Sequence, residues 1–467
     1  YTWLGRNWKE YPVEGEEDHL FLFGFSRGAF AVRSLMGMLY HVGLLDLRGL
    51  TAEVAHKRAY RAFYKGYVKC RDKSKWAYDK KGKEPWPFFK GDKGRIPIEF
   101  IGVWDTVGQL GLPRETFFLW CCGLLCLFTP NKYKFHEVTM HRLVRCGRHA
   151  IAMDEMRSTF QPVFDRKVAK QVLDNLASQE PLPDVKQVWF PGSHGNVGGG
   201  LLDSGLSDGA LKWMIDEAAV KGLRFDEKLV AQIRPNHHGN IYTSHNVSIY
   251  ANLTHYPRSM PPIIPENLEE PIPTQFEYIH SSALARSNDP PINDAPYFPH
   301  ISMRNVGDSH KVMIRANKIY NATHVYLWPG VKYKITAEGT WNCYANYGTG
   351  PEGFSGNCLQ RPVGMNMAVA LGKCQFALRK VSGNKEAALP FVRRHDALPW
   401  YSVCGMVACG GTRDATARAE FHEIIGIGEG TEYTSEKGGY LFCYANDTWG
   451  AYIKNKGNME LTIERLS

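Results

Sequence analysis

The pentapeptide Gly24-Phe25-Ser26-Arg27-Gly28 is the part of this sequence best suited to covalent chemistry. It lies directly after the apolar run HLFLF and directly before AFAVRSLMGMLY, so the serine falls on a sharp turn from strand to helix that presents its hydroxyl as a nucleophile. In so tight a turn, side chains two positions either side of Ser26 would collide with neighbouring backbone, which accounts for Gly24 and Gly28. The helix beginning there has free N–H groups and a positive dipole end, making the Arg27 N–H the expected oxyanion donor. The chemistry is acyl transfer. The competing reading is a glycine-rich turn of purely structural purpose.

A serine hydroxyl needs a base and an orienting acid, delivered in this fold from later strands in the order acid, then histidine. Asp105 in IEFIGVWDTVGQLG sits where an apolar strand gives way to a Thr and Gly turn, and is the expected acid; a turn-capping carboxylate is the alternative. His194 in VWFPGSHGNVGGG, again just past a strand, is the expected base. Two other histidines compete. His149 in GRHAIAMDEMRSTF reads as a helical position beside a local ion-pair set of Asp154, Glu155 and Arg157, and His280 in YIHSSALAR comes late enough to be the base. No H-E-x-x-H or C-x-x-C occurs, Cys121, Cys122 and Cys126 have no nearby His, and GNVGGG lacks both the P-loop ending and the dinucleotide spacing. Neither a catalytic metal nor any other cofactor for catalysis is expected.

The elements that must position these residues are of two kinds. Up to about residue 225, strands at His19–Phe25, Ile98–Trp104 and Lys186–Phe190 alternate with helical patterns at Ala29–Tyr40, Thr51–Tyr67 and Gly209–Val220, the habit of a mostly parallel α/β sheet with flanking helices. Residues 257–299 hold ten of the 26 prolines, too many for regular elements, and a boundary is expected near residue 300. Beyond it the period becomes two, as in Val331 to Glu338 and Met459 to Glu464, with Gly-rich turns between, which predicts an all-β sandwich or jelly roll with one wet face per sheet. The expected domains are 1–300 and 301–467.

With 467 residues, 44% hydrophobic and 22% charged, the chain is neither disordered nor collagen-like, and no apolar run reaches the ~20 residues of a membrane span. The eleven cysteines are expected to be thiols. The chain begins at Tyr1 without a charged-then-apolar leader, and reads as joined partway in. Of the net charge of +9, residues 65–95 contribute eleven Lys or Arg against four acids, interleaved with Trp76, Tyr78, Trp86, Phe88 and Phe89. That basic insertion is either a solvated loop or a patch for an anionic phospholipid surface; no nucleic-acid motif accompanies it. Within residues 114–135 the uncharged stretch FFLWCCGLLCLF is a core helix or a lid whose apolar face meets lipid.

GFSRGA with RSLMG, VWDTVGQLG, RHAIAMDEMR, VWFPGSHGNVGGG with LSDGALKWM, and IHSSALAR occur in the order seen in a known group. From residue 17 to about 300 the chain resembles the α/β-hydrolases that include bacterial type VI secretion lipase effectors of the first Tle class. The resemblance implies a phospholipase A acting on membrane glycerophospholipids, with Ser26, Asp105 and His194 at the triad positions. It also implies export without a signal peptide to a target-cell membrane or periplasm, with secretion-apparatus and immunity proteins as partners; without it, a cytoplasmic location is expected. Two features depart from the pattern: the sequence starts at Tyr1 without the Asp-Gly-Thr oxyanion loop of relatives, so either a longer native chain or an incomplete oxyanion hole is expected, and Asn196 stands where relatives carry Asp. Residues 312–467 resemble the calcium-dependent, galactose-binding lectin fold of the LecA type, through VKYKITAEGTWN, TGPEG and YANDTWGAYIKNKGNMELTI. That likeness implies a carbohydrate partner and calcium, but of the ligand positions only Asp447 and Asn455 are kept, while Ala451 and Lys454 replace two others, so a sandwich that keeps the shape without calcium is expected. The alternatives to a phospholipase are a glycan- or membrane-binding module on a hydrolase scaffold, and an esterase for carbohydrate or small acyl esters.

Overall fold

The computed structural model describes residues 1–9, 18–69, 76–77, 85–89, 95–107, 139–140, 143–157, 160–164, 184–242, 255–269, 277–342, 348–354, 392–410, 421–449 and 451–467. Most of the basic insertion and all of the apolar stretch 117–128 lie outside them. After helix α1 (Thr2–Asn7), strands β1 (Phe21–Phe25), β2 (Ile98–Trp104), β3 (Val144–Ala152), β4 (Asp184–Phe190) and β5 (Glu277–Ile279) form one sheet in the order 1-2-3-4-5. Every neighbouring pair is parallel. Parallel sheets need both faces covered, and the residues of β2 show how this is met. Ile101 and Val103 pack with Ala29, Met36 and Leu39 of helix α2 (Arg27–Val42). Phe100, on the other face, packs with Met214 and Ala218.

Helix α3 (Ala52–Arg61) starts at Thr51, whose side chain accepts from the Val54 N–H, and it widens into a π-helix over Ala62–Lys69. Helices α4 (His194–Gly198) and α5 (Gly205–Val220) follow β4, and α6 (Ser281–Asn288) follows β5.

Residues 144–152 and 257–299 differ from the sequence expectation. Residues around His149 form β3, a central strand, not a helix. Its polar residues misled because each is matched inside the fold: Arg148 is buried and pairs with Asp184 and Glu217, and His149 is buried with its Nε2 accepting from the Thr106 N–H at 3.0 Å. The Pro-rich stretch 257–299 also contains regular structure, namely β5 and α6, because its prolines at 271, 273, 290 and 291 flank those elements and do not interrupt them.

Strands β6 (Ser309–Arg315), β7 (Asn321–Leu327), β8 (Lys332–Asn342), β9 (Gly348–Thr349), β10 (Val403–Val407), β11 (Glu423–Gly426), β12 (Gly430–Thr434), β13 (Gly439–Ala445) and β14 (Lys456–Arg465) are antiparallel. They make two sheets, β11-β10-β13-β7 and β12-β8-β14-β6, with β9 beside β8. The second sheet has the expected wet face: Tyr333, Ile335, Ala337, Met459, Leu461 and Ile463 are buried and the residues between them are more exposed. The first does not, since β10 and β13 are buried at every position. Leu441 and Cys443 serve the sandwich core, whereas Tyr440 reaches back to residues 255–298: its hydroxyl accepts from the Ile263 N–H at 2.9 Å and its ring lies 5.2 Å from Phe298. One continuous core therefore runs from Ile151, Trp189, Ile263 and Ile279 into Val403, Leu441 and Leu461. The four cysteines among the described residues are buried thiols.

Replacing Tyr440→Phe leaves the buried Ile263 N–H without its acceptor. It is expected to lower stability by about 1–3 kcal/mol, read as a fall in the urea midpoint, with the secondary-structure spectrum unchanged.

Candidate active site

The turn after β1 carries Ser26 at φ 59 and ψ −121, a left-handed conformation that L-residues rarely adopt. Two backbone bonds hold it: the Ser26 N–H donates to the Trp104 carbonyl at 3.0 Å, and the Phe30 N–H donates to the Ser26 carbonyl at 3.2 Å. Gly24 is required as anticipated, since a Cβ there would lie 2.6 Å from the Gly28 carbonyl oxygen. Gly28 is not required for that reason, because a Cβ there meets nothing within 4 Å. Arg27 is the first residue of α2, so its N–H has no intrahelical acceptor and stands next to the serine.

Asp105 directly follows β2 with φ 40 and is wholly buried, its N–H donating to the Ala150 carbonyl of β3 at 2.7 Å. His194 opens α4, where Ser193 and Asn196 form a capping box. The three side chains meet. His194 Nδ1 lies 2.5 Å from Asp105 Oδ2 and His194 Nε2 lies 2.9 Å from Ser26 Oγ. With an acceptor-only carboxylate at Nδ1, the proton belongs on that nitrogen, leaving Nε2 to accept from the serine hydroxyl. The imidazole is held between Phe25, at 4.6 Å, and Phe160, edge-on at 4.9 Å. Gly198 makes room for this, since a Cβ there would sit 2.0 Å from the Phe25 ring.

Sequence reasoning missed Arg258. Its guanidinium, also wholly buried, donates to Asp105 Oδ1 at 2.6 Å and Oδ2 at 2.9 Å, and to the carbonyls of Ala152 and Phe160 at 2.6 and 2.5 Å. Burial alone would raise the Asp105 carboxyl; the Arg258 charge and the His194 hydrogen bond outweigh it and hold the group well below the usual carboxylate range. A buried carboxylate calls for a counter-charge, but nothing in HYPRSMPP marks which of 56 basic residues supplies it.

Asn196, the departure from the family pattern, has an observed structural part. Its Oδ1 accepts from the Ser193 and Tyr242 N–H groups at 3.2 and 3.0 Å, and its Nδ2 donates to the Asn240 carbonyl at 2.9 Å. An amide does both; a carboxylate could not donate.

The rival histidines are engaged elsewhere. His149 is kept neutral by burial and then by the Arg33 charge, pushed down to about 3, and it braces the turn at Thr106. His280 caps α6 through Nδ1, stacks on Phe190 at 4.3 Å and is lowered by burial to about 4. Of the expected ion-pair set, Glu155 and Arg157 do pair, at 2.8 Å, whereas Asp154 instead accepts from the Gly192 N–H and the Tyr297 hydroxyl.

The described residues do not fit calcium at the lectin-like position. Asp447 Oδ2 already accepts from Asn455 Nδ2 at 2.8 Å and its Oδ1 from the Thr448 N–H at 2.7 Å. Burial raises this carboxyl to about 6, and the Arg394 guanidinium, stacked 3.6 Å over Tyr444, adds a fixed positive charge nearby. Asn455 Oδ1 lacks a partner, yet one spare acceptor beside an occupied carboxylate is far from the six to eight oxygens that calcium takes.

Residues 1–217 match the family described as T6SS, phospholipase effector Tle1-like, catalytic domain, so the resemblance drawn from the motifs holds over that span, which contains Ser26, Asp105 and His194. An uncharacterized protein of Saccharomyces cerevisiae is 31% identical over 153 residues, covering 31% of this chain; the match spans 18% of that relative's length. Several solved structures are similar, three of them as follows. One is an uncharacterized protein from Pseudomonas aeruginosa, 17% identical over 48% of this chain and 28% of that one, TM-score 0.28. Another is a Tle1 effector bound to the VgrG spike of the type 6 secretion system, 17% identical over 39% and 24%, TM-score 0.21. The third is the EclA N-terminal domain, a PllA-like lectin, 14% identical over 33% and 94%, TM-score 0.21.

Replacing Arg258→Gln removes the charge that opposes burial at Asp105. A carboxyl depressed in the folded state contributes stability above its unfolded pKa of ~4, lost as pH falls through the lower folded value. With that depression weakened, the acid-unfolding midpoint is expected to move to higher pH. Stability at neutral pH is expected to fall by about 3–5 kcal/mol. An unchanged acid midpoint would show that Arg258 does not set the state of Asp105.

Proposed function

We propose that this chain is a serine carboxylic-ester hydrolase of phospholipase A type, with residues 1–300 as its α/β-hydrolase part and 301–467 as an accessory sandwich. The observation that carries the reading is the hydrogen-bonded line Ser26–His194–Asp105, whose members come from the ends of β1, β2 and β4. Ser26 Oγ attacks the acyl carbonyl while its proton passes to His194 Nε2. The Arg27 N–H receives the oxyanion, the C–O bond to the glycerol oxygen breaks, and the imidazolium returns the proton to that leaving alcohol. Water then gives its proton to the same nitrogen and attacks the acyl-serine carbonyl; the C–Oγ bond breaks, the imidazolium returns the proton to Ser26 Oγ, and the fatty acid leaves. Asp105 keeps the imidazole in the tautomer that accepts from serine, and Arg258 keeps Asp105 ionised.

The family description over residues 1–217 supports a membrane phospholipid substrate and a secreted role against target cells. Secretion-apparatus and immunity proteins are the partners that go with that reading. An esterase for small acyl or carbohydrate esters would use the same three residues, so substrate must be read directly.

Phospholipids labelled separately at each acyl position, presented in vesicles, are expected to release fatty acid and a lysophospholipid. Ser26→Ala is expected to reduce that release on the order of a millionfold, with unchanged thermal stability. Release that survives in Ser26→Ala would remove the mechanism. Hydrolysis of short soluble esters without any of phospholipid would keep the mechanism and replace the substrate.

A further inference from the structure

In the segment that hydrogen-bonds to the His194 turn, two neighbouring imidazoles face one carboxylate. His238 Nε2 lies 2.9 Å from Asp289 Oδ2 and 3.0 Å from the Asp289 carbonyl oxygen, and His237 Nε2 lies 3.6 Å from the same Oδ2. One donor atom from each of the three residues falls within 4.8 Å of the others. His237 Nε2 is sealed from solvent and has no hydrogen-bond partner, a state that normally carries a penalty unless something binds there.

The backbone around these donors is fixed before anything arrives. The His238 N–H donates to Asn236 Oδ1 at 2.9 Å and the Asn236 N–H to the Gly205 carbonyl at 2.9 Å. Buried Arg286 of α6 donates to the carbonyls of His237 and Gly239, and pairs with Asp294. Among the described residues, then, the ionic partners of Asp289 are the two histidines. Its side chain is 72% exposed, which leaves room for water to complete a coordination shell.

We propose that His237, His238 and Asp289 bind one divalent first-row transition ion of the Zn2+ type. Two imidazole nitrogens and one carboxylate oxygen match such an ion, whereas Ca2+ and Mg2+ call for oxygen donors throughout. Coordination uses Nε2 of each ring in its unprotonated form, so binding releases a proton from whichever Nε2 carries one. The ion ties residues 236–242 to the end of α6. That same segment holds the His194 loop, through the Asn240 carbonyl and Tyr242 N–H on Asn196 and through the Tyr242 carbonyl, which accepts from Ser193 Oγ at 2.7 Å. The site is a structural clamp and takes no part in the acyl chemistry.

The test uses the full chain without an affinity tag. Calorimetric titration with Zn2+ is expected to saturate near one equivalent and to raise the melting temperature. Co2+ is expected to give the visible absorption of a nitrogen and oxygen site without a thiolate charge-transfer band. His238→Ala and Asp289→Asn should each lose the saturable phase and the Co2+ spectrum, while His19→Ala, at an exposed histidine beside Glu99, should keep both. Metal-free melting of each variant reports its folding, and His238→Gln replaces His238→Ala if the latter does not fold. Absence of saturable binding to the wild-type chain, or binding undiminished in both variants, overturns the proposal. Binding is read without reference to hydrolysis, so its outcome and that of the Ser26→Ala experiment are independent.

Discussion

A carboxylate shut off from solvent is joined to the candidate nucleophile through one imidazole, and the bidentate guanidinium of Arg258 is what lets it remain ionised there. A buried charge of either sign alone would be strongly unfavourable, and one without the other would change protonation or draw in solvent. The pair satisfies much of the hydrogen bonding around it: Asp105 also accepts from the Ala152 N–H, and Arg258 also donates to two carbonyls. The orientation of His194, and through it the proton acceptor for Ser26, follows from this fixed negative end.

The parallel sheet supplies the second constraint. Ser26 and Asp105 both sit at positive φ, each just past the end of its strand, and each has its N–H tied to a carbonyl of the next strand over, Trp104 or Ala150. Strain of about 1–3 kcal/mol per such residue persists only where the surroundings determine the conformation, and here the sheet ladder does so. The histidine is placed differently, by a capping box at the start of a short helix and by two aromatic rings.

How much of this was legible follows from the range of the interactions involved. The Ser26 turn, the strand ahead of Asp105 and the loop of His194 are local patterns, and the sequence places all three residues at strand ends. The period of two in β8 and β14 was equally plain, because only one of their faces is buried. Strand β3 was hidden, since Arg148 and His149 look solvent-facing until Glu217, Asp184 and Thr106 are known to meet them. A side chain at Gly28 would meet nothing within 4 Å, against the expectation from the tight turn, whereas Gly198 has a steric reason that depends on Phe25, 173 positions earlier in the chain. Arg258 reaches an acid 153 positions earlier in the chain, and no local pattern records such a pairing.

Strand β13 is buried on both faces, and its Tyr440 rests on the stretch of chain just past Arg258, while Tyr256, two residues before it, stacks on His422 at 3.8 Å and the Pro257 carbonyl receives His422 Nε2 at 2.8 Å. The family match ends at residue 217, before any of these contacts. A fragment cut at that homology limit would keep serine, acid and imidazole, yet leave the acid's counter-ion on the discarded piece. In this molecule the reach of the family match and the reach of charge neutralisation have different borders, and the β-sandwich is a retaining wall behind the segment that carries the buried counter-charge.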